Sequence, residues 1–187
     1  MSQSISNNVS VIRLTQAAIA FLISITAGTA DEPVAGPSAA IPELKLLEGF
    51  AGKWTGEFAA KNSQDKIKLA SEATWVMEGT YLMTKGVSKP SNGENSQSSM
   101  ILWTYDGQKK VYRRWIFFSG GGSLQETGHW AADSKTFFFE GRDPDTGAST
   151  ASTVKVTDND TREWTLRFKN IAGDVVAEVS GVNRRVK

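Results

Sequence analysis

The sequence predicts an all-β protein: a single antiparallel up-and-down β-barrel of about ten strands with one short N-terminal helix. Three observations lead there. From Lys53 onward apolar and polar residues alternate with a period of two, the pleat of a sheet with one wet and one dry face. About ten such runs are separated by tight-turn chemistry, including Glu78-Gly79, Asp106-Gly107, Gly120-Gly121-Gly122, Asp133-Ser134, Asp158-Asn159-Asp160 and Ala172-Gly173-Asp174. No stretch between them has the length of a crossover helix, so successive strands run antiparallel in chain order. Closing that many strands removes the exposed edges, which favours a barrel over a two-sheet sandwich.

Taken in order, residues 1–30 read as a cleavable signal peptide. Arg13 is their only charge, an apolar run follows from Leu14 to Ala27, and Gly28 and Ala30 supply the small residues of a cleavage site. That run is short of the roughly 20 apolar residues that span a bilayer. The expected destination is therefore export to a periplasmic or extracellular space, with no membrane span after cleavage. Residues 31–41 (DEPVAGPSAAI) lack periodicity and are expected to be a flexible lead-in to a barrel domain over 42–187. Residues 42–51 carry the helix. Pro42 suits its first position, Glu43 its first turn, and Leu44, Leu47 and Phe50 recur every third residue, with Gly49 and Gly52 ending it.

The expected strands are 53–60, 66–77, 80–87, 98–105, 110–119, 124–131, 136–141, 150–157, 163–170 and 175–183. Alternation is clearest at Trp54, Gly56 and Phe58 against Lys53, Thr55 and Glu57, and at Trp164, Leu166 and Phe168 against Glu163, Thr165 and Arg167. Residues 88–99 (SKPSNGENSQSS) read as a polar loop at one barrel mouth.

Composition excludes several classes of function. Losing residues 1–30 removes Arg13 and no acid, so 21 basic against 20 acidic residues become 20 against 20. A neutral chain has no basic excess for a phosphate backbone, and no nucleic-acid partner is expected. With no cysteine there is no disulfide, thiol nucleophile or Cys-ligated metal, and His129 is the only imidazole. No metal site is expected. The pairs Asp143 and Asp145, and Asp158 and Asp160, lack the further oxygens of a calcium loop and fit ordinary turn chemistry.

The run Gly52-Lys53-Trp54-Thr55-Gly56, straight after a short helix, resembles the G-x-W opening of the calycin superfamily, which includes lipocalins and fatty-acid-binding proteins. Further features join it: Leu44-x-x-Leu47, Glu78-Gly79-Thr80-Tyr81, Tyr105-Asp106 followed by Tyr112 and Trp115, Gly128-x-Trp130, and a last strand ending in arginine. Together they are most similar to the secreted bacterial lipocalin-like family called domain of unknown function 1579. The resemblance implies a barrel with an internal cavity. It also implies that Trp54 plugs one end beneath an arginine from the last strand, with Arg184 the matching residue and Arg185 the alternative. A haem-binding calycin relative ligates iron through a C-terminal His; this C-terminus (SGVNRRVK) has none, and His129 alternates away from Trp130. No cofactor is expected.

Candidate binding residues follow from the 17 aromatics left after residue 30, most of which must face inward, and from the strand 110–119. There Val111, Arg113, Trp115 and Phe117 share one face and Tyr112, Arg114, Ile116 and Phe118 the other, so either parity brings one arginine inside. A buried guanidinium needs an inward carboxylate, for which Glu72 and Glu126 are available, or an anionic ligand. An inward Trp115 selects Arg113. Trp75, Trp103, Tyr112, Trp115 and Trp130 are the candidate wall, with Arg113 or Arg114 and Glu126 as the polar groups. The expected role is non-enzymatic binding of a small apolar or amphipathic molecule. The alternatives are a protein acting through its outer surface around a filled barrel, or a cofactor-free barrel enzyme using Tyr112, Arg113 and Glu126.

Overall fold

The computed structural model describes residues 35–90, 96–143 and 147–187. The expected signal peptide, residues 31–34 of the lead-in and Asp145 of the turn pair lie outside the described residues. Ten strands follow one another: β1 Gly52–Ala60, β2 Ile67–Val76, β3 Tyr81–Pro90, β4 Gln97–Asp106, β5 Val111–Phe118, β6 Ser123–Ala131, β7 Thr136–Arg142, β8 Ser149–Val156, β9 Thr161–Lys169 and β10 Val175–Arg185. Each pairs antiparallel with its chain neighbours, and β1 pairs with β10, so the sheet closes into an up-and-down barrel. The fold class expected from the alternation is the one observed.

Two differences from the expected elements have clear causes. The helix, Pro42–Phe50, is 3₁₀ throughout its nine residues. A 3₁₀ helix has three residues per turn, so the three-residue spacing of Leu44, Leu47 and Phe50 aligns all three on one face. Leu44 and Leu47 are fully buried beneath it. The polar stretch 88–99 is expected as a loop, but both of its described ends are strand. Ser88 pairs with Gln97, so serines extend the ladder of β3 and β4 despite their polarity, and Pro90 pairs with Ile67 of β2.

The described part of the lead-in is held by the barrel: the Ser38 N–H donates to the Gly79 carbonyl at 2.9 Å. The β2–β3 turn reverses through three successive left-handed residues, Met77 (φ 51°), Glu78 (φ 55°) and Gly79 (φ 78°). A Cβ on Gly79 would sit 2.5 Å from the Gly36 carbonyl oxygen, so only glycine fits where lead-in and turn touch.

The helix closes one end of the barrel. Its last carbonyls have no partner within the helix, and side chains from the strands supply them. Trp54 Nε1 donates to the Phe50 carbonyl (2.8 Å), Arg162 Nη2 to Gly49 (2.9 Å), and Arg185 Nη1 and Nη2 to Ala51 (2.6 Å) and Gly49 (2.5 Å). The other end is uncovered by the described residues, and the inward-facing Leu69, Phe118, Leu166 and Phe168 near it are only half-buried.

Candidate functional site

The barrel interior has two parts. Beneath the helix it is solid, with Phe137 at the centre of an aromatic cluster. Its ring centroid lies 4.6 Å from Trp130, 4.9 Å from Tyr112 and 6.1 Å from Trp103. Tyr112 donates its hydroxyl to the Glu43 carbonyl at 2.9 Å, and burial, followed by Tyr105 and Glu43, pushes its pKa up to about 12. Its phenol therefore anchors the helix as a neutral donor.

Away from the helix the interior opens into a cavity of about 230 Å³. Phe50, Trp54 and Arg162 line its inner end, and Ser88, Gln97 and Phe118 line it beside the uncovered end. Its lining is largely apolar, from Trp103, Ile101, Ile116, Val154, Trp164 and Leu166, with the hydroxyls of Ser71, Thr84 and Ser99 on the adjoining strands β2–β4. Ser71 and Ser99 flank Gly86 in one cross-strand row, and a glycine there leaves a recess between the two hydroxyls. A larger open concavity, about 970 Å³, lies over β8–β10 and β1 and is lined largely by outward Thr, Ser, Lys and Glu side chains. It lacks the enclosure of a small-molecule site.

Between the solid and hollow parts sits a buried polar cluster. Arg114 on β5 and Glu126 on β6 are register partners, 5% and 1% exposed. Arg114 donates to Glu126 Oε2 through Nε at 2.8 Å and also through Nη2. Nη2 also donates to Ser152 Oγ at 2.5 Å. The Thr150 hydroxyl donates to Glu126 Oε1 at 2.9 Å, and Ser152 Oγ lies 3.2 Å from the same oxygen. The guanidinium carbon stands 4.9 Å from the Trp103 ring centre and 4.5 Å from that of Phe139. Burial lowers the Arg114 pKa, and Glu126 opposes that shift; a guanidinium starting so high stays charged. This leaves Nη1 as the guanidinium nitrogen with no partner among the described residues, on a side chain that lines the cavity.

Several expectations are corrected here. Arg114, not Arg113, points inward, because Tyr112, Arg114 and Ile116 are the buried parity of β5. Arg113 lies outside, ion-paired with Asp106 at 2.6 Å. Trp115 shares its parity and packs against Tyr81 on the outer face, with centroids 6.4 Å apart. Glu72 is exposed outside, which leaves Glu126 as the inward carboxylate. The set Tyr112, Arg113 and Glu126 is split across the sheet and forms no common site. Of the proposed wall, Trp103 alone lines the cavity; Trp75, Tyr112 and Trp130 face inward but belong to the solid part or its margin. At the plug, Arg185 rather than Arg184 lies over Trp54, at 4.4 Å, because odd-numbered residues of β10 face inward here. Arg162, which sequence reasoning passed over, joins it at 4.9 Å. Arg184 is exposed and reaches the Thr161 hydroxyl at 3.5 Å.

His129 is on the outer face, stacked on Phe138 with centroids 5.6 Å apart. Among the described residues no three His, Asp or Glu side chains are grouped to hold a metal ion, and no helix is long and apolar enough to cross a membrane.

A closed ten-stranded antiparallel barrel, plugged by a short helix and by a Trp–Arg contact, is a calycin-like architecture. The particular family is also defined: the sequence profile of the family described as protein of unknown function, DUF1579, matches residues 40–185, and the chain belongs to that family. No curated protein sequence is detectably similar. Among solved structures, Rv2717c from M. tuberculosis superposes with a TM-score of 0.60 at 14% identity, covering 78% of this chain and 98% of that one. The S-type phycobiliprotein lyase CPES from Guillardia theta superposes with a TM-score of 0.51 at 12% identity, covering 76% of this chain and 92% of that one. At these identities the likeness is one of fold.

Proposed function

We propose that this protein, exported through its N-terminal signal, holds a small apolar or amphipathic molecule inside the barrel without transforming it. The observation that carries this reading is the cavity of about 230 Å³, walled by Trp54, Trp103, Trp164 and aliphatic side chains and supplied with a few convergent polar groups. A fold selected only for rigidity would fill that volume, since packing voids cost stability. The family assignment gives no activity, and Tyr112, Arg113 and Glu126 do not converge. Binding therefore fits the interior better than catalysis does. Native mass spectrometry of protein purified from its own host, with tryptophan-fluorescence titrations against a panel of small ring compounds and short acyl chains, tests the reading. The expected result is a stoichiometric adduct or saturable quenching that the cavity-filling variant Ser99→Trp abolishes. Quenching that persists unchanged in that variant, or no adduct and no saturable response at all, would refute it.

A second reading rests on the outer face. Met83, Leu102 and Trp115 form one cross-strand row there, flanked by Met100 and Phe117 in the next. A contiguous apolar strip outside a sheet suits an interaction surface. Concentration-dependent sedimentation of wild type and Trp115→Lys addresses it; identical monomeric behaviour of both, with no retained partner, argues against it.

A further inference from the structure

We infer that the cavity selects an uncharged molecule of one or two rings carrying a hydrogen-bond acceptor, and disfavours the matching carboxylate. This deepens the binding reading above and rests on it. The first support is size. A cavity of about 150 Å³ holds benzene, so about 230 Å³ admits one ring to a compact pair and excludes an extended long acyl chain.

The second support is charge. Among the described residues, Arg114 and Arg162 are the only ionisable side chains in the lining. Arg114 is already matched by Glu126, its register partner, whose two oxygens are taken by Arg114, Thr150 and Ser152. Arg162 spends Nη1 on the carbonyls of Asp158 and Thr161 and Nη2 on that of Gly49, while its Nε is buried without a partner among the described residues. Burial and the neighbouring Arg185 disfavour its charge, and the Asp158 and Asp160 carboxylates favour it. Arg185, behind Trp54, is paired with Asp160 at 3.3 Å. Arg114 and Arg185 are thus each ion-paired, and the charge of Arg162 is offset at longer range by Asp158 and Asp160. An entering carboxylate would be stripped of water beside cations whose charge is already offset by Glu126, Asp158 and Asp160, and the adjoining Glu126 would repel it.

The third support is what remains unpaired. Arg114 Nη1 offers a donor at the apolar wall, where Trp103 covers the guanidinium plane, and the hydroxyls of Ser71, Thr84 and Ser99 line the same cavity from the neighbouring strands. A carbonyl or ether oxygen at the edge of a flat ring meets that donor without a net charge.

The test uses the full chain and three isosteric probes: 2-acetylnaphthalene, 2-naphthoate and 2-ethylnaphthalene. Tryptophan quenching and calorimetry at neutral pH should rank the ketone above the hydrocarbon, and above the naphthoate by about tenfold or more. Glu126→Gln removes the matching anion and should move the ketone-to-naphthoate ratio toward naphthoate by about tenfold. Should that variant fail to fold, the double variant Arg114→Gln/Glu126→Gln keeps a neutral donor and should retain the preference for ketone over hydrocarbon. Naphthoate binding as tightly as the ketone in the wild type would overturn the inference while leaving cavity binding intact. Equal binding of ketone and hydrocarbon would overturn the assigned donor. No binding of any probe would remove this inference; the host-purified adduct then decides the broader reading separately.

Discussion

The Arg185 guanidinium lies 4.4 Å from the centre of the Trp54 ring, and the two residues are register partners in the pairing of β10 with β1 that closes the barrel. One contact thus joins the first strand to the last, covers the inner end of the cavity and, through Gly49 and Ala51, fixes the helix above it. Gly52 makes this possible. Its φ of 103° turns the chain from helix into strand, and a Cβ there would sit 2.9 Å from Arg185 Nη1. The spacing Gly52-x-Trp54 is therefore a geometric unit: a reversal, a space for the arginine, and the ring beneath it.

Arg185→Ala is expected to destabilise the fold by about 1–3 kcal/mol, from the lost cation–π contact and the Ala51 carbonyl it leaves unpaired, the Gly49 carbonyl keeping Arg162. Arg184→Ala, on the solvent side of the same strand, should change stability by no more than about 0.5 kcal/mol. Urea unfolding followed by tryptophan fluorescence measures both. Equal losses would mean that parity along β10 is not what selects the partner of Trp54.

How far the sequence was legible depended on phase rather than on pattern. Period-two alternation located all ten strands, because half-buried sheets write it directly into the residue order. The choice of inner face is a separate binary for each strand, and in β5 both faces carry an arginine and large apolar residues. The aromatic Trp115 pointed to the wrong parity. The informative signal was one strand further on: Glu126 shares parity with Leu124, Gly128 and Trp130 between the polar Gln125 and Thr127. A carboxylate on an apolar face calls for a cation opposite, and the hairpin register around Gly120 makes that residue Arg114. The cavity was not legible, since its volume depends on how far side chains from eight strands fall short of meeting.

The buried pair makes a second prediction, asymmetric between partial and complete removal. Glu126→Ala leaves Arg114 charged and unpaired at 5% exposure, and should cost about 3–5 kcal/mol. Replacing both residues by methionine removes the desolvation cost together with the attraction and should be much less damaging, within about 1–2 kcal/mol of wild type. Denaturant midpoints of the three proteins decide it. A double variant as unstable as Glu126→Ala would show that Ser152 and Thr150, stripped of their partners, dominate the loss.

Tyr112 sets a limit on the alkaline side. Its pKa is about 12 in the folded protein and about 10 in an unfolded chain. A raised acid pKa means the folded state retains the proton longer. Its contribution is complete below pH ~10 and declines as pH rises toward 12, by at most about 2–3 kcal/mol. Tyrosinate absorbance should show Tyr112 ionising near pH 12, as a step that Tyr112→Phe abolishes. An absorbance step near pH 12 that Tyr112→Phe leaves unchanged would contradict a neutral phenol donating to the Glu43 carbonyl.

The turn between β2 and β3 places Met77 and Glu78 at φ 51° and 55°, where non-glycine side chains are strained. Asparagine and glycine tolerate that region. Met77→Asn or Glu78→Gly should therefore raise stability by about 0.5–1 kcal/mol, with the gain reduced for glycine by its looser unfolded chain. Thermal unfolding of each single variant checks this. Destabilisation by both would indicate that Met77, 57% exposed, contributes packing that outweighs its strain.

Gly141 ties the fold to the site. It sits between Glu126 and Thr150 in the cross-strand row, and an added Cβ would lie 2.5 Å from the Gln125 carbonyl oxygen, 2.7 Å from Thr150 Oγ1 and 2.9 Å from Glu126 Cγ. Backbone cannot yield as a side-chain tip can, so Gly141→Ala must push β7 away from β6 or displace the carboxylate. Either movement loosens Glu126 from Arg114 and costs about 1–3 kcal/mol by overpacking. The same displacement frees the guanidinium from its anion, so the variant should gain relative affinity for 2-naphthoate in the direction of Glu126→Gln. Loss of stability without any shift in that ratio would separate the two effects and assign Gly141 to strand packing alone.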